Sequence, residues 1–310
     1  MTGGRLRIVD VGLDGLDGAV AAALVVGPEV ALVDPGPSTS LAALEAGARD
    51  MGLHLDEVRH LCLTHVHLDH AGAAGHLAAR YPKLTVHLHV DGAPHLADPA
   101  RLVASTRRTF GDAHDRLWGE VRPIPSHRIR VWRPGERGPL PWLRAIATPG
   151  HAGHHVSYLD EVDGTLMAGD ALGILFDDEG PVHPATPPPG VDLAAWLETL
   201  AELRAVGPER GVWTHFGLHP EPVARARELE ATLRALFRRV RAAVAAGSVE
   251  ADAEAFDAES REAQRPFRGD DVDRYFDAFS AATDHAGMRR FVEKNPGWTA
   301  PPEKGAPTGR

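Results

Sequence analysis

Leu61-Cys62-Leu63-Thr64-His65-Val66-His67-Leu68-Asp69-His70 is the stretch from which the rest of this chain is read. Three imidazoles and one carboxylate fall within six residues, directly after a short apolar run. Histidine and aspartate are strong ligands for a borderline metal such as zinc. In an extended segment, residues two apart point the same way, so His65 and His67 can address one metal together. Asp69 and His70 are adjacent, at a junction between loop and helix, and suit a second metal nearby. A catalytic zinc takes about three protein ligands plus water, so two metals need ligands from elsewhere in the chain.

Three candidates lie downstream, each at the end of a predicted strand. They are His151 in Thr148-Pro-Gly-His151, Asp170 in Ala168-Gly-Asp170, and His215 in Thr214-His-Phe-Gly217. Strand ends are where a sheet presents functional groups from distant parts of a sequence. A lone His or Asp is a weak signal in a chain with 18 His; an ordered set after His-x-His-x-Asp-His is a strong one.

The flanking sequence reads as alternating strands and helices. Strands are predicted at 7–11, 19–26 and 30–34, separated by the turn chemistry of Gly12 to Gly18 and Gly27-Pro28. Ser38 offers an N-cap for a helix to about Met51. A strand over 58–63, a helix over 71–80 and a strand over 84–90 form a βαβ unit, which makes this part of the sheet parallel. Residues 93–119 read as mainly helical. Short strands near 129–132, 143–148, 156–159 and 165–168 imply a second, largely antiparallel sheet. Residues 170–190, with Pro187-Pro188-Pro189, read as a long ordered loop. Asp192 caps a helix through Ala205, and Gly211 to Thr214 reads as the last strand. Beyond it, Leu229 to Val244 and Val272 to Phe279 carry helical apolar stripes. We divide the chain into a catalytic domain over 1–219, a helical extension over 220–298 serving as lid or dimer contact, and a disordered tail over 299–310.

The chain has 310 residues, 43% hydrophobic and 25% charged, as in ordinary globular proteins. No apolar run approaches the ~20 residues of a membrane span, and no signal-peptide core is evident, so a cytoplasmic location is expected. The net charge is −10, and residues 1–220 carry 27 acidic against 18 basic side chains. An acidic catalytic region argues against a nucleic-acid substrate, which favours a basic stripe. The single cysteine, Cys62, excludes an internal disulfide and reads as a buried structural thiol.

With these motifs in place, the chain resembles the metallo-β-lactamase-fold superfamily of metallohydrolases, in its glyoxalase-II-like or lactonase-like branch. His65, His67, Asp69 and His70 match the signature motif; His151, Asp170 and His215 match the later ligands in order and local context. The resemblance covers about residues 5–220. It implies an α/β fold, a four-layer αβ/βα sandwich with the site at one edge and a C-terminal helical extension. It implies that His65, His67 and His151 hold one metal, Asp69, His70 and His215 the other, with Asp170 bridging. The implied cofactors are two Zn2+, with iron or manganese as alternatives. The implied chemistry is hydrolysis by a water shared between the ions and acidified toward a pKa of about 7. Asp69 would orient that water or accept its proton.

The expected activity is therefore cleavage of a small ester, thioester or lactone. The alternatives are a non-haem iron oxidative enzyme of the same fold, such as a persulfide dioxygenase, and an RNA or phosphodiester hydrolase. The expected partner is a small molecule, with no nucleic acid, no membrane and a homodimer as an option. His183, in the proline-rich loop, is expected at the substrate pocket. His154 and His155 are candidate supports of a ligand imidazole. Asp34 is a candidate acceptor for amides beneath the metal loop. Arg265 and Arg268 are candidates for contact with an anionic substrate.

Overall fold

Runs such as Ala21-Ala-Ala-Leu-Val-Val26 are apolar at consecutive positions, which a sheet tolerates only when both faces are covered. The computed structural model, which describes residues 5–302, provides that cover. Strands β1 (Leu6–Asp10), β2 (Ala21–Val26), β3 (Val30–Val33), β4 (Val58–Cys62), β5 (Thr85–His89) and β6 (Ile129–Trp132) form one sheet in sequential order. The first three pair antiparallel; β3 to β6 pair parallel. The crossovers carry α1 (Leu41–Asp50), α2 (Leu68–Ala71), α3 (Ala74–Arg80), α4 (Ala93–Ala97), α5 (Ala100–Phe110) and α6 (His114–Trp118). A second sheet has the order β11-β10-β9-β8-β7, built from β7 (Leu143–Ala147), β8 (Val156–Asp160), β9 (Thr165–Gly169), β10 (Arg210–Trp213) and β11 (Gly217–Pro220). Only its β9–β10 pair is parallel, across the helix α7 (Leu193–Val206). Helices α8 (Pro222–Ala246), α9 (Val249–Arg268), α10 (Asp271–Ala278) and α11 (Ala281–Lys294) complete the chain.

Side chains alternate across each strand, and the two faces enter different cores. On β2, Ala22 and Leu24 join Leu44, Leu77 and Trp118 beneath the outer helices, while Ala23 and Val25 face inward. There they meet Cys62, Val156, Tyr158, Met167 and Val212 between the sheets. On the far side, Leu166, Ala168 and Trp213 pack under α7, α8 and α11. Three apolar seams separate four layers, which is an αβ/βα sandwich.

The C-terminal helices join both halves. Val272, Tyr275 and Phe276 of α10 belong to the core of the first sheet, and Met288 and Phe291 of α11 to that of the second. No helix among the described residues is long and apolar enough to cross a membrane.

Several elements differ from the sequence reading. The strand at 129–132 adds to the first sheet, parallel to β5, rather than to the second. β11 follows the expected last strand as a four-residue partner of β10. It ends in Pro220, which an edge position tolerates. Helices α9 and α11 fall within the expected helical extension over 220–298 but were not delimited in it; α9 buries only Val249, Ser260 and Gln264. Ser38 caps nothing; its hydroxyl donates to the Trp118 carbonyl at 2.8 Å, and the helix begins at Leu41. Residues 303–310 of the expected disordered tail lie outside the described residues, and Thr299 to Pro302 carry no regular structure.

Candidate metal centre

β4 ends at Cys62, and the chain runs on through a bend at Thr64 to His67, the extended N-cap of α2. Both sheets hold this stretch: Leu63 N donates to His87 O at 2.9 Å, Val156 N to Thr64 O at 2.8 Å, and the Tyr158 hydroxyl to Leu63 O at 2.9 Å. Helix α2 starts three residues earlier than the expected helix, which puts Asp69 and His70 on its first turn.

The three later candidates arrive from strand ends in the second sheet. His151 follows β7, Asp170 follows β9 and His215 follows β10. Gly169, with φ +56°, lets the chain turn at Asp170; a Cβ there would stand 2.7 Å from His155 Nε2 and 2.8 Å from Thr64 Oγ1.

The structure brings all seven expected ligands together in two adjoining groups. One is His65, His67, His151 and Asp170; the other is Asp69, His70 and His215. Asp170 faces both. Its Oδ2 lies 3.4 Å from His151 Nε2 and 3.9 Å from His65 Nε2, while its Oδ1 lies 3.3 Å from His70 Nε2 and 3.8 Å from His215 Nε2. Asp69 Oδ2 is 3.4 Å from His70 Nε2 and 3.2 Å from His215 Nε2. His67 Nδ1 and His151 Nε2 face each other at 2.8 Å.

Outer partners fix which nitrogen each imidazole offers. His70 Nδ1 donates to Asp34 Oδ2 at 2.8 Å, His215 Nδ1 to Ala19 O at 2.7 Å and His151 Nδ1 to Ala185 O at 2.8 Å. Thr64 Oγ1 donates to Asp34 Oδ2 at 2.7 Å and so accepts from His65 Nδ1 at 3.0 Å. In each of the four rings it is Nε2 that faces the centre, the arrangement that metal-binding histidines use. Asp34 also accepts from Thr64 N at 2.8 Å, as its place at the strand end suggested. His155 accepts from Asp170 N at 3.1 Å and meets Thr148 Oγ1 at 2.8 Å; His154 accepts from Val66 N at 3.3 Å. Both support the site without joining either ligand group.

The charges suit a cation. Burial, then the neighbouring His70, His67 and His151, holds His65 neutral. Burial and His151 depress His67 to about 3. Burial disfavours the charge on Asp69 and Asp170, but His70 and the other imidazoles around them outweigh it and hold both carboxyls well below the usual range. Burial likewise opposes the charge on His70, and is overcome by Asp170, Asp69 and Asp34. That proton is one a metal would displace.

Four of the cluster's buried atoms, His65 Nε2, His70 Nε2, His215 Nε2 and Asp170 Oδ1, have no hydrogen-bond partner. Each such atom costs about 1–3 kcal/mol. Imidazole nitrogens and ionised carboxylates converging at one point fit a pair of divalent ions. Nothing else in the neighbourhood competes: burial pushes the Cys62 thiol far up, which leaves it inert.

A cavity of about 180 Å³ opens beside the cluster, with His67, Asp69, His151, Asp170 and His215 on its floor. Its walls come from α5, from Pro187–Pro189 and from the junction of α10 and α11. His183 does not line it, contrary to expectation. It is buried, with Nε2 donating to Asp284 Oδ2 at 3.1 Å and its ring stacked on Phe256. Arg265 pairs with Asp273 and Arg268 donates to Asp17 O at 2.7 Å; neither lines the cavity. His87 pairs with His60 at 3.0 Å and His89 accepts from Asp91 N, so that strand holds no ligand group.

Sequence reasoning missed Asp284. Its carboxylate accepts from Thr186 N at 2.6 Å and from His183, clamping the loop whose Ala185 carbonyl orients His151. The signal was present: Asp284, Met288 and Phe291 share the buried face of α11, and a carboxylate on an apolar stripe needs a partner.

A four-layer αβ/βα sandwich with two adjoining His and Asp groups at the sheet edge is an α/β fold with a candidate metal centre. The chain belongs to the metallo-beta-lactamase superfamily, whose family model matches residues 15–215. It is 30% identical over 192 residues to the metallo-beta-lactamase fold-containing protein ST1585 of Sulfurisphaera tokodaii, covering 60% of this chain and 68% of that one. It is 27% identical over 276 residues to a hydroxyacylglutathione hydrolase of Cupriavidus metallidurans, covering 75% and 89%. The crystal structure of ST1585 from Sulfolobus tokodaii superposes with a TM-score of 0.63 at 25% identity, over 74% of this chain and 86% of that one. TTHA1623 in a di-iron-bound form superposes with a TM-score of 0.51 at 27% identity, over 67% and 93%.

Proposed function

We propose that this chain is a dinuclear metal-dependent hydrolase, zinc-loaded in its working form, that cleaves a small ester, thioester or lactone in the cytoplasm. The observation that carries the reading is Asp170, whose two oxygens face two separate imidazole groups within a cluster of unpartnered buried lone pairs. The likeness to a protein named as a hydroxyacylglutathione hydrolase supports the reaction class. His65, His67 and His151 would hold one ion, Asp69, His70 and His215 the other, and Asp170 both. A divalent pair supplies Lewis acidity, acidifying water and polarising a carbonyl.

The chain's own groups do the rest. Asp69 reaches the cavity floor and stays ionised, so it can orient water and accept its proton. Asp34, Thr64, Ala19 and Ala185 keep the imidazoles in one tautomer, so the cluster needs no reorganisation during reaction. The walls above the cluster are largely apolar, which strengthens the electrostatics at its floor. Of the helices beyond residue 220, the junction of α10 and α11 forms a wall of the site.

The test is metal content together with turnover of thioesters, lactones and aryl esters by zinc-loaded protein. About two zinc per chain with hydrolysis, and a loss of at least a hundredfold in kcat for Asp69→Ala, is expected. One iron per chain with oxygen consumption and no hydrolysis would overturn the reading in favour of oxidative chemistry.

A further inference from the structure

We infer that the site takes an uncharged, apolar acyl group of medium length, a substrate class that rests on the hydrolase reading above. The walls of the cavity are Leu102 and Phe110 of α5, Trp118, Ile174 and Phe279, with Pro187 to Pro189 at one side. Hydroxyl residues interrupt them, but three of those hydroxyls are engaged elsewhere. Thr106 Oγ1 bonds the Leu102 and Val103 carbonyls and His114, Thr109 Oγ1 the Ser105 carbonyl, and Ser280 Oγ the Asp257 carboxylate. At the two threonines this leaves the methyl as the free part of the side chain.

No lysine or arginine is among the described residues that line the cavity. Of the arginines next to its walls, Arg107 is committed to Asp115 and Arg116 to Asp14, while Arg101 and Arg108 are exposed and do not line the cavity. Away from the floor, the one charged lining group is Asp284, whose oxygens are taken by Thr186 N and His183. A carboxylate at the far end of a bound chain would therefore meet no cation and a like charge, and burying it there is strongly unfavourable. Methylene groups gain from the same walls, up to about fourfold in affinity for each one fully buried.

The test uses one leaving group, 4-nitrophenol, on acetyl, hexanoyl and adipoyl chains, the last ending in a free carboxylate. For the zinc-loaded full-length protein, kcat/KM for the hexanoyl ester should exceed that for acetyl by at least tenfold, and that for adipoyl by at least tenfold. Thr109→Arg, at an exposed wall position, should raise the ratio of adipoyl to hexanoyl kcat/KM at least tenfold. Binding without turnover gives a second readout. By calorimetry, metal-free protein should bind hexanamide at least tenfold more tightly than acetamide, and adipamate no better than acetamide. An acetyl or adipoyl ester turned over as well as the hexanoyl ester would overturn the inference while leaving the hydrolase intact. If no ester, thioester or lactone is cleaved, the hydrolase reading fails, and the amide affinities still decide the character of the cavity.

Discussion

Replacing Asp34 by asparagine isolates one carboxylate oxygen beneath the metal centre. Asp34 sits at φ +48°, a backbone region that asparagine also tolerates, so the change does not strain the chain. The carboxylate accepts three bonds: Thr64 N on Oδ1, and both Thr64 Oγ1 and His70 Nδ1 on Oδ2, all between 2.7 and 2.8 Å. An asparagine can keep its oxygen on Thr64 N. Its amide nitrogen then faces two donors and satisfies neither. The charge-assisted bond to His70 alone is worth about 1.5–3 kcal/mol. The metal-free variant should lose about that much stability, read by urea unfolding at constant m-value. The second consequence is on the centre itself. Freed from Asp34, His70 can place its proton on Nε2, the atom that faces Asp69 and Asp170. Loss of such an outer partner costs about 10–100-fold in metal affinity. Zinc competition against a chromogenic chelator measures this directly. Zinc affinity and urea midpoint both unchanged would refute the account, since it leaves Asp34 no silent role.

Other perturbations test separate parts of the structure. Gly169→Ala forces a side chain into a left-handed position, about 1–2 kcal/mol, and drives its Cβ onto His155 and Thr64; both the unfolding midpoint and zinc retention should fall. Asp284→Ala leaves the Thr186 amide without its acceptor and loosens the loop that orients His151, so zinc affinity should drop tenfold or more although residue 284 touches no ligand ring; unchanged zinc titrations would show that the loop holds itself. Burial, then His60 and Arg130, depress His87 to about 3 in the folded chain, while the unfolded chain titrates near 6.5. The unfolded state therefore binds more protons between those values, so stability is full above about pH 6.5 and is lost as pH falls toward 3; His87→Leu should flatten that slope in urea unfolding of metal-free protein from pH 7 to 4. Chelation should lower the melting temperature of zinc-loaded protein, because a ligand at about 100 times its Kd stabilises by about 2.7 kcal/mol; scans that superpose with and without chelator would deny that the cluster holds metal.

Much of this was legible because metal ligation is demanding about residue type and spacing. Few side chains can serve, and His65, His67, Asp69 and His70 declare themselves within six residues. The cores were legible where strands are apolar on both faces, as on β2, and where helices carry stripes, as Leu193, Trp196, Leu197 and Leu200 do on α7. The errors fall where local pattern is weak. A four-residue edge strand such as β11 draws its definition from its neighbour β10, not from its own composition. His183 drew a pocket role from a loop whose interior contacts the sequence does not encode locally.

Residue types and their spacing name the side chains that could meet a metal, and their order along the chain. How they share it follows from the packing of the two sheets. Asp170 is 100 residues beyond His70, and its division between two imidazole groups is a matter of how one sheet edge docks on the other. The same holds for Asp34, for the carbonyls of Ala19 and Ala185, and for Asp284 on the last helix. Backbone oxygens leave no trace in residue identity, and a clamp acting over about a hundred residues leaves no periodicity. The character of the cavity was hidden for the same reason: its walls are assembled from α5, a proline loop and the C-terminal helices, which become neighbours only when the sandwich closes.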